Sequence, residues 1–134
     1  MKTISKLKKE LDKWFSLFIR LREATAEGSV QCFTSGRVYH YKSIHAGHFM
    51  SRKRLATRWC ESNVQPQSPA DNLFGQGEQY KFGLNLDAKY GDGAAEELQF
   101  KSRQTLKMTR IDYEEKISYY KDLVEKLKKE KGIQ

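Results

Sequence analysis

An apolar stripe near the N-terminus limits what this chain can fold into more than any other feature of its sequence. Between Thr3 and about Ala26, apolar residues recur at steps of three and four, while the basic residues fall largely elsewhere. This spacing predicts an amphipathic helix that packs one face into a core and leaves a basic face in solvent. The stripe consists of Ile4, Leu7, Leu11, Trp14, Phe15, Phe18 and Leu21.

The C-terminal region carries a second stripe of the same kind. Thr109 and Asp112 resemble a capping arrangement, and they predict a last helix that runs to about Lys131. The apolar residues of this helix are Ile117, Tyr120, Leu123 or Val124, and Leu127. The pattern favours packing of this stripe on the N-terminal helix, and a homodimer through the terminal helices is the alternative.

The middle of the chain changes to short β patterns and turns. β-branched and aromatic residues on both sides of a glycine-containing turn predict a β-hairpin after Val30, with Thr34 to Arg37 at the turn. A strand over 44–50, an irregular cationic arm over 51–59 and an extended segment over 63–67 are expected next. A helix is expected to start near Pro69, and two further helices are expected over 78–90 and 94–106, with a glycine turn at 91–93 between them. Helices combined with short strands predict an α+β fold.

The charge balance points to a polyanionic partner. The 134 residues include 25 Lys and Arg against 17 Asp and Glu, which leaves a net charge of +8. Such a surplus favours nucleic acid through counterion release and long-range attraction. We expect no membrane association and a cytoplasmic location, because no apolar run approaches the length of a spanning helix or a signal-peptide core. The size suggests a single domain over residues 1–134.

Residues 44–72 concentrate the side chains that are able to perform chemistry. His45 and His48 lie near a predicted strand end, Asn63 precedes the extended segment, and Asn72 enters the next helix. Four cations follow the histidines, namely Arg52, Lys53, Arg54 and Arg58. This order matches a His-Asn-Asn version of the HNH nuclease finger.

Several motifs resemble the phage NinG (Rap) recombination nucleases, a branch of the His-Me finger superfamily. The matching segments are QCFTSG, HAGHFMSR, ATRW, NVQPQ, Asn72 and the KYGDG turn, in the family's order. The resemblance implies an HNH-like ββα-metal finger with a treble-clef-like knuckle at 29–90, flanked by an N-terminal helix at 1–28 and a C-terminal helical arm at 91–134. It also implies a phage-encoded endonuclease that cuts branched DNA such as Holliday junctions and D-loops.

The resemblance implies a structural zinc bound by two C-x-x-C pairs, and this chain departs from that pattern. The four corresponding positions are Cys32, Ser35, Ser68 and Asp71, so only one thiolate donor remains. Serine hydroxyls are poor zinc ligands, and we therefore expect no structural zinc. Hydrogen bonds among Ser35, Ser68, Asp71 and backbone amides are expected to close the knuckle, with Asp71 also accepting from the start of its helix.

Roles for the window residues follow from the same resemblance. His48 matches the general base, Asn63 matches the asparagine that fixes the loop and orients the base, and Asn72 matches a metal ligand. His45 stands where the family carries an aspartate ligand, which leaves open which histidine is base and which is ligand. The expected cofactor is one divalent ion, Mg²⁺ or Mn²⁺, and the imidazole of His45 shifts the preference away from Mg²⁺.

The cations after His48 are expected to contact phosphates, which would position a DNA backbone without reading its bases. Trp59 is expected to lie in the core. A catalytically inactive module that binds branched DNA remains the main alternative, because both the zinc cluster and the aspartate are altered. A protein that interacts through its helices is a third reading, which explains the charge but not the order of histidines and asparagines.

Overall fold

The structure is a computed structural model that describes residues 1–134. Helix α1 spans Ile4–Arg22 and begins at Thr3, whose hydroxyl accepts a hydrogen bond from the Lys6 amide. Its buried residues are Leu7, Leu11, Phe15, Phe18, Ile19 and Leu21. The predicted amphipathic helix is thus confirmed, although it ends four residues earlier than expected.

The last helix, α5, spans Arg110–Lys131 and packs along α1. Its capping box is present, with Thr109 and Asp112 each accepting from the other's backbone amide. Phe15 and Tyr120 meet edge to face with ring centroids 4.9 Å apart, and Val124 lies in the same core. The predicted packing of the two terminal stripes is confirmed, and the apolar stripe considered for a dimer is covered within one chain.

A C-terminal lysine joins the two long helices at their far end. Lys131 Nζ donates to the carbonyl oxygens of Leu21, Arg22 and Ala24 at 2.7, 3.1 and 2.6 Å. The last carbonyls of a helix have no partner within the helix and carry partial negative charge, so a cation there is stabilising. This contact fixes the C-terminal end of α1 against α5.

The strands form two separate antiparallel pairs. Strands β1 (Ser29–Gln31) and β2 (Val38–His40) form the predicted hairpin, and β3 (His45–His48) pairs with β4 (Val64–Gln67). In the second pair His45 lies opposite Gln67 and His48 lies opposite Val64. The extended segment through Pro66 is therefore a fully buried strand.

The remaining helices are short, and two predictions about them were wrong. The arm over 51–59 is not wholly irregular, because α2 occupies Leu55–Arg58. The helix expected near Pro69 is a single π-helical turn at Ala70–Phe74, which we call the π turn. Helix α3 spans Gln79–Tyr90 and α4 spans Ala94–Ser102, with the predicted glycine turn between them.

Two apolar clusters surround the β3–β4 pair. The main cluster joins α1, α5 and the inner faces of the strands, and it includes Trp59 as expected. A smaller cluster of Phe49, Phe82, Leu86 and Leu98 attaches α3 and α4 to the residue that follows β3. The chain is thus an α+β fold with two small antiparallel sheets. None of its helices combines the length and the apolar character needed to cross a bilayer.

Candidate functional site

His48 is the last residue of β3, and its ring has a defined hydrogen-bonding arrangement. Its Nε2 lies 3.0 Å from the carbonyl oxygen of Arg58. A carbonyl can only accept, so Nε2 carries the hydrogen and Nδ1 holds the lone pair of the neutral ring. Burial lowers the pKa of His48 to about 4, and the nearby Arg52 charge acts in the same direction. The imidazole is therefore neutral at physiological pH, with Nδ1 as the proton-accepting atom.

A shallow cationic cavity of about 520 Å³ adjoins His48. Its lining consists of Ala46, His48, Ser51, Arg52, Lys53, Arg58 and Asn72. Three of these residues carry a positive charge, and none carries a negative charge, so the cavity suits an anion. A larger apolar groove of about 670 Å³ lies elsewhere, between α2 and α5. The chemistry-bearing residues are at the smaller, charged cavity.

Asp12 of α1 holds the basic segment in place, a role that was not predicted from the sequence. Its carboxylate accepts from Arg58 Nε and Nη2 at 3.1 and 2.6 Å, from Arg52 at 2.6 Å and from the Trp59 indole at 2.9 Å. Burial opposes ionisation, but the hydrogen bonds and charges of Arg58 and Arg52 outweigh it and hold the pKa of Asp12 below its usual value. An acidic residue beside the apolar stripe of a basic helix was the available signal.

The four cations expected to contact DNA differ in their surroundings. The Arg58 side chain is only 15% exposed and pairs bidentately with Asp12, whereas Arg52 is 59% exposed and shares that carboxylate. Lys53 and Arg54 are exposed and form no ion pair. The structure therefore gives Arg58 a positioning role, because its carbonyl also holds His48.

Asn63 is completely buried and fastens the loop that follows β3. Its side-chain oxygen accepts from the Met50 amide at 2.8 Å, and its amide group donates to the carbonyls of Met50 and Thr57 at 3.1 and 3.0 Å. These bonds fix both ends of the basic loop. Asn63 thus contacts the loop and not His48, whose partner is the Arg58 carbonyl.

His45 and Asn72, the two residues predicted to bind a metal, lie together. Asn72 Nδ2 is 3.2 Å from His45 Nδ1, across the gap between β3 and the π turn. One imidazole nitrogen and one amide oxygen are acceptable ligands for Mn²⁺ or Mg²⁺, with water and phosphate completing the shell. No group of three His, Cys, Asp or Glu side chains is arranged to bind a metal anywhere in the chain. His45 and Asn72 are thus candidate ligands that lie within hydrogen-bond distance of each other, and of the two only Asn72 lines the cavity.

The four positions that match the zinc cysteines of the family also converge. Cys32 Sγ accepts hydrogen bonds from the backbone amides of Ser35 and Ser68 at 3.4 and 3.2 Å. Burial opposes ionisation of this thiol, but the hydrogen bonds from Ser35 and Ser68 prevail and lower its pKa to about 7. Asp71 lies 3.9 Å from the sulfur. Ser35, Ser68 and Asp71 therefore surround the sulfur of a single cysteine.

Hydrogen bonds close this knuckle, but one predicted bond was wrong. The Ser68 hydroxyl accepts from the Asp71 amide at 3.2 Å. The Asp71 carboxylate accepts from the Thr34 hydroxyl at 2.6 Å and not from the start of its own helix. Gln67 donates to the same hydroxyl at 3.1 Å. The Ser35 hydroxyl instead accepts from the Arg37 amide, within the hairpin turn.

Comparison with protein families supplies one match. The sequence model described as bacteriophage lambda NinG protein matches residues 1–130, which include every residue of the cavity. No curated protein and no solved structure matches the chain. The family indicates a phage function related to recombination. Since the match covers nearly the whole sequence, the chain belongs to the NinG family.

Proposed function

We propose that this chain is a metal-dependent, structure-selective DNA endonuclease that hydrolyses phosphodiesters in branched recombination intermediates such as Holliday junctions and D-loops. One observation carries the proposal: His48, neutral and held in one tautomer, adjoins a cationic cavity that Asn72 also lines. Phosphodiester hydrolysis requires an activated water and stabilisation of the charge that develops on the phosphoryl and leaving oxygens. The cavity brings groups for these tasks into one place.

His48 is the general base in this proposal. Nδ1 accepts the proton of the attacking water, while the Arg58 carbonyl keeps the Nε2 hydrogen and stabilises the imidazolium that forms. The low pKa of the free site would make Nδ1 a weak base. A bound phosphate places negative charge near the ring and raises this pKa, which improves proton transfer when substrate is present.

Arg52, Lys53 and Arg54 hold the DNA backbone. Arg52 and Lys53 line the cavity. Lys53 and Arg54 form no ion pair, so these two residues exchange only water and counterions for phosphate. Arg58 acts differently, because its guanidinium is mostly buried and pairs with both oxygens of Asp12, whereas Arg52 bonds one of them and is largely exposed. We assign it to positioning His48 and not to binding phosphate.

His45 and Asn72 would hold one divalent ion, Mg²⁺ or Mn²⁺, through an imidazole nitrogen and the amide oxygen. When bound, the ion supplies charge stabilisation for the scissile phosphate and the departing 3′ oxygen. The present hydrogen bond between the two side chains has to give way to ligation, which implies modest affinity. The imidazole favours Mn²⁺ over Mg²⁺ relative to a carboxylate site.

The chain order around this site supports an HNH-type ββα finger. The antiparallel β3–β4 pair carries His48 at the end of its first strand, and the π turn and α3 follow directly. A homodimer would place two sites at opposed strands of a junction. Because the apolar faces of α1 and α5 cover each other, such a dimer needs a surface other than that stripe.

A catalytically inactive module for branched DNA is the second candidate function. It is favoured by the donor set, since His45 and Asn72 satisfy each other and no three His, Cys, Asp or Glu side chains are grouped to bind a metal. In this case the cationic cavity binds a phosphate without cleaving it. The two functions differ in turnover and share the same binding surface.

The test is cleavage of a synthetic four-way junction and of linear duplex in Mg²⁺, Mn²⁺ or Ni²⁺. The endonuclease requires that His48→Ala cleaves at least about 100-fold more slowly, as removal of a general base typically does. His40→Ala is the matched control, because His40 is an exposed histidine of β2 that lies outside the cavity. Full activity in His48→Ala contradicts the assigned base.

Binding in several salt concentrations separates the remaining outcomes. Lys53→Ala with Arg54→Ala should reduce the slope of log affinity against log salt by about 0.9 for each lost phosphate contact on duplex DNA. Binding without cleavage in every metal would establish the inactive module. Absence of DNA binding at low salt would refute both functions and favour an interaction protein.

A further inference from the structure

The π turn exposes two large apolar side chains beside the cationic cavity. Leu73 is 62% exposed and Phe74 is 86% exposed, and neither belongs to an apolar cluster. They directly follow Asn72, which lines the cavity together with Arg52 and Lys53. A single exposed apolar residue needs no explanation, but two adjacent ones next to a charged site indicate a contact surface.

The backbone after these residues is held in an unfavourable conformation. Gln76, Gly77 and Glu78 all have positive φ angles of 53, 79 and 47°. Such angles are uncommon for residues other than glycine, and they persist only where the surrounding structure imposes them. The strain implies that the fold requires this path of the chain.

Three buried or backbone contacts impose that path. The Gln67 side chain donates to the Gly77 carbonyl at 2.8 Å, the Gly77 amide donates to the Asp71 carbonyl at 2.8 Å, and the Gly75 amide donates to the Ala70 carbonyl at 2.8 Å. These bonds connect residues 75–77, which follow the π turn, to the turn itself and to the last residue of β4. Leu73 and Phe74 are thereby presented from an anchored turn and not from a free loop.

We propose that Leu73 and Phe74 form a wedge that stacks on the exposed bases at a DNA branch point while the adjacent cavity holds a backbone phosphate. The inference rests on the proposed DNA binding at this cavity. The occupant is DNA because the neighbouring charges are positive, and because an aromatic ring offers a stacking partner for any base. Apolar side chains used in this way insert between base steps.

This wedge supplies a physical basis for structure selectivity. In continuous duplex, insertion of a side chain requires two stacked base pairs to separate, which is costly. At a branch point the stack is already interrupted, so Phe74 covers an open base face without that cost. The phosphate contacts are common to both substrates, and the wedge therefore distinguishes them.

The test measures binding of a four-way junction that carries 2-aminopurine at its branch point, with linear duplex of the same sequence as comparison. Phe74→Ala should bind the junction about 5- to 150-fold more weakly, the range expected for loss of one base stack. Its affinity for duplex and its salt slope should stay unchanged. The 2-aminopurine fluorescence change seen with wild type should disappear, and Phe74→Trp should restore it.

Phe100→Ala is the matched control, since Phe100 is also exposed, at 68%, and lies on a different helix, α4. It should behave as wild type. The wedge is refuted if Phe74→Ala binds junction and duplex as wild type does, or if both affinities fall equally. If wild type binds no DNA, the proposed function fails together with the wedge, whereas junction binding that is insensitive to Phe74 removes the wedge alone.

Discussion

Replacement of Asp12 by asparagine tests how the site is held together. The carboxylate of Asp12 receives two bonds from Arg58, one from Arg52 and one from the indole of Trp59. Asparagine has nearly the same shape but lacks the charge, and it offers one acceptor oxygen in place of two. The substitution therefore leaves Arg58, whose side chain is 15% exposed, without a counter-charge.

The expected loss in the free energy of unfolding is about 2–3 kcal/mol. Removing one partner from a fully buried ion pair costs about 3–5 kcal/mol. Both side chains keep some solvent contact, 15% for Arg58 and 18% for Asp12, which reduces that cost. For a chain of this size such a loss corresponds to a fall in the melting temperature on the order of 10 °C.

Urea unfolding at pH 7 measures this loss, and Glu10→Gln provides the control. Glu10 lies on the same helix and pairs with Lys2, but the side chains are 30% and 58% exposed. Exposed pairs contribute less than about 1 kcal/mol, so the control should unfold near the wild-type midpoint. Equal midpoints for wild type and Asp12→Asn would refute the structural role of Asp12.

The pH dependence provides a second check with a fixed sign. The folded protein holds the pKa of Asp12 below its usual value of about 3.9, so the stabilisation is complete above that pH. It is lost as the pH falls through the lower folded pKa. The stability difference between wild type and Asp12→Asn should therefore be constant above about pH 5 and shrink in more acidic solution. A difference that grows on acidification would contradict the assigned ion pair.

Three further changes have expected outcomes. Gly47→Ala should lower stability by more than about 2 kcal/mol in thermal unfolding, because a Cβ there would lie 2.9 Å from the Gln67 Cβ and closer still to its side-chain oxygen. Lys131→Met should cost about 1–3 kcal/mol, because three carbonyls at the end of α1 lose a charged donor. The depressed pKa of His48 means that stability should decline as the pH falls from about 6.5 to about 4, where the unfolded chain binds a proton that the folded chain excludes.

Each of these three predictions has a control variant. Gly83→Ala places a Cβ no nearer than 3.4 Å to any neighbour, so it should be neutral or slightly stabilising within α3. Lys129→Met alters an exposed lysine in the same last turn as Lys131 and should change stability little. In His48→Gln the decline between pH 6.5 and 4 should be smaller, and an unchanged decline would assign it to other groups.

The elements with strong local signals were predictable from the sequence. The apolar stripe of α1 and the capping box at Thr109 involve residues within a few positions of each other. Local sequence is therefore sufficient to predict both features. The hairpin around Gly36 and the extended segment through Pro66 are of the same kind. Their meaning does not depend on distant parts of the chain.

The contacts that define the site were harder to predict from the sequence, because they join residues that are far apart in it. Asp12 and Arg58 are 46 positions apart, and nothing local distinguishes this pair from a solvated acid and a solvated base. Likewise, the motif around Asn63 identified an important residue, but its partners depend on how the loop closes. The single π turn could not be inferred from the helical signal at Pro69.

The base of the proposed reaction is consequently positioned by a residue outside the 44–72 segment that contains it. Asp12 positions Arg58, and the carbonyl of Arg58 sets the tautomer of His48. Asp12 lies one residue after Leu11, which is fully buried in the α1–α5 core, so the position of the carboxylate is as rigid as that core. A substitution that loosens the packing of the terminal helices should therefore disturb the position of the His48 ring, even though it lies outside residues 44–72. In the proposed function, the N-terminal helix would thus position the base in addition to supporting the fold.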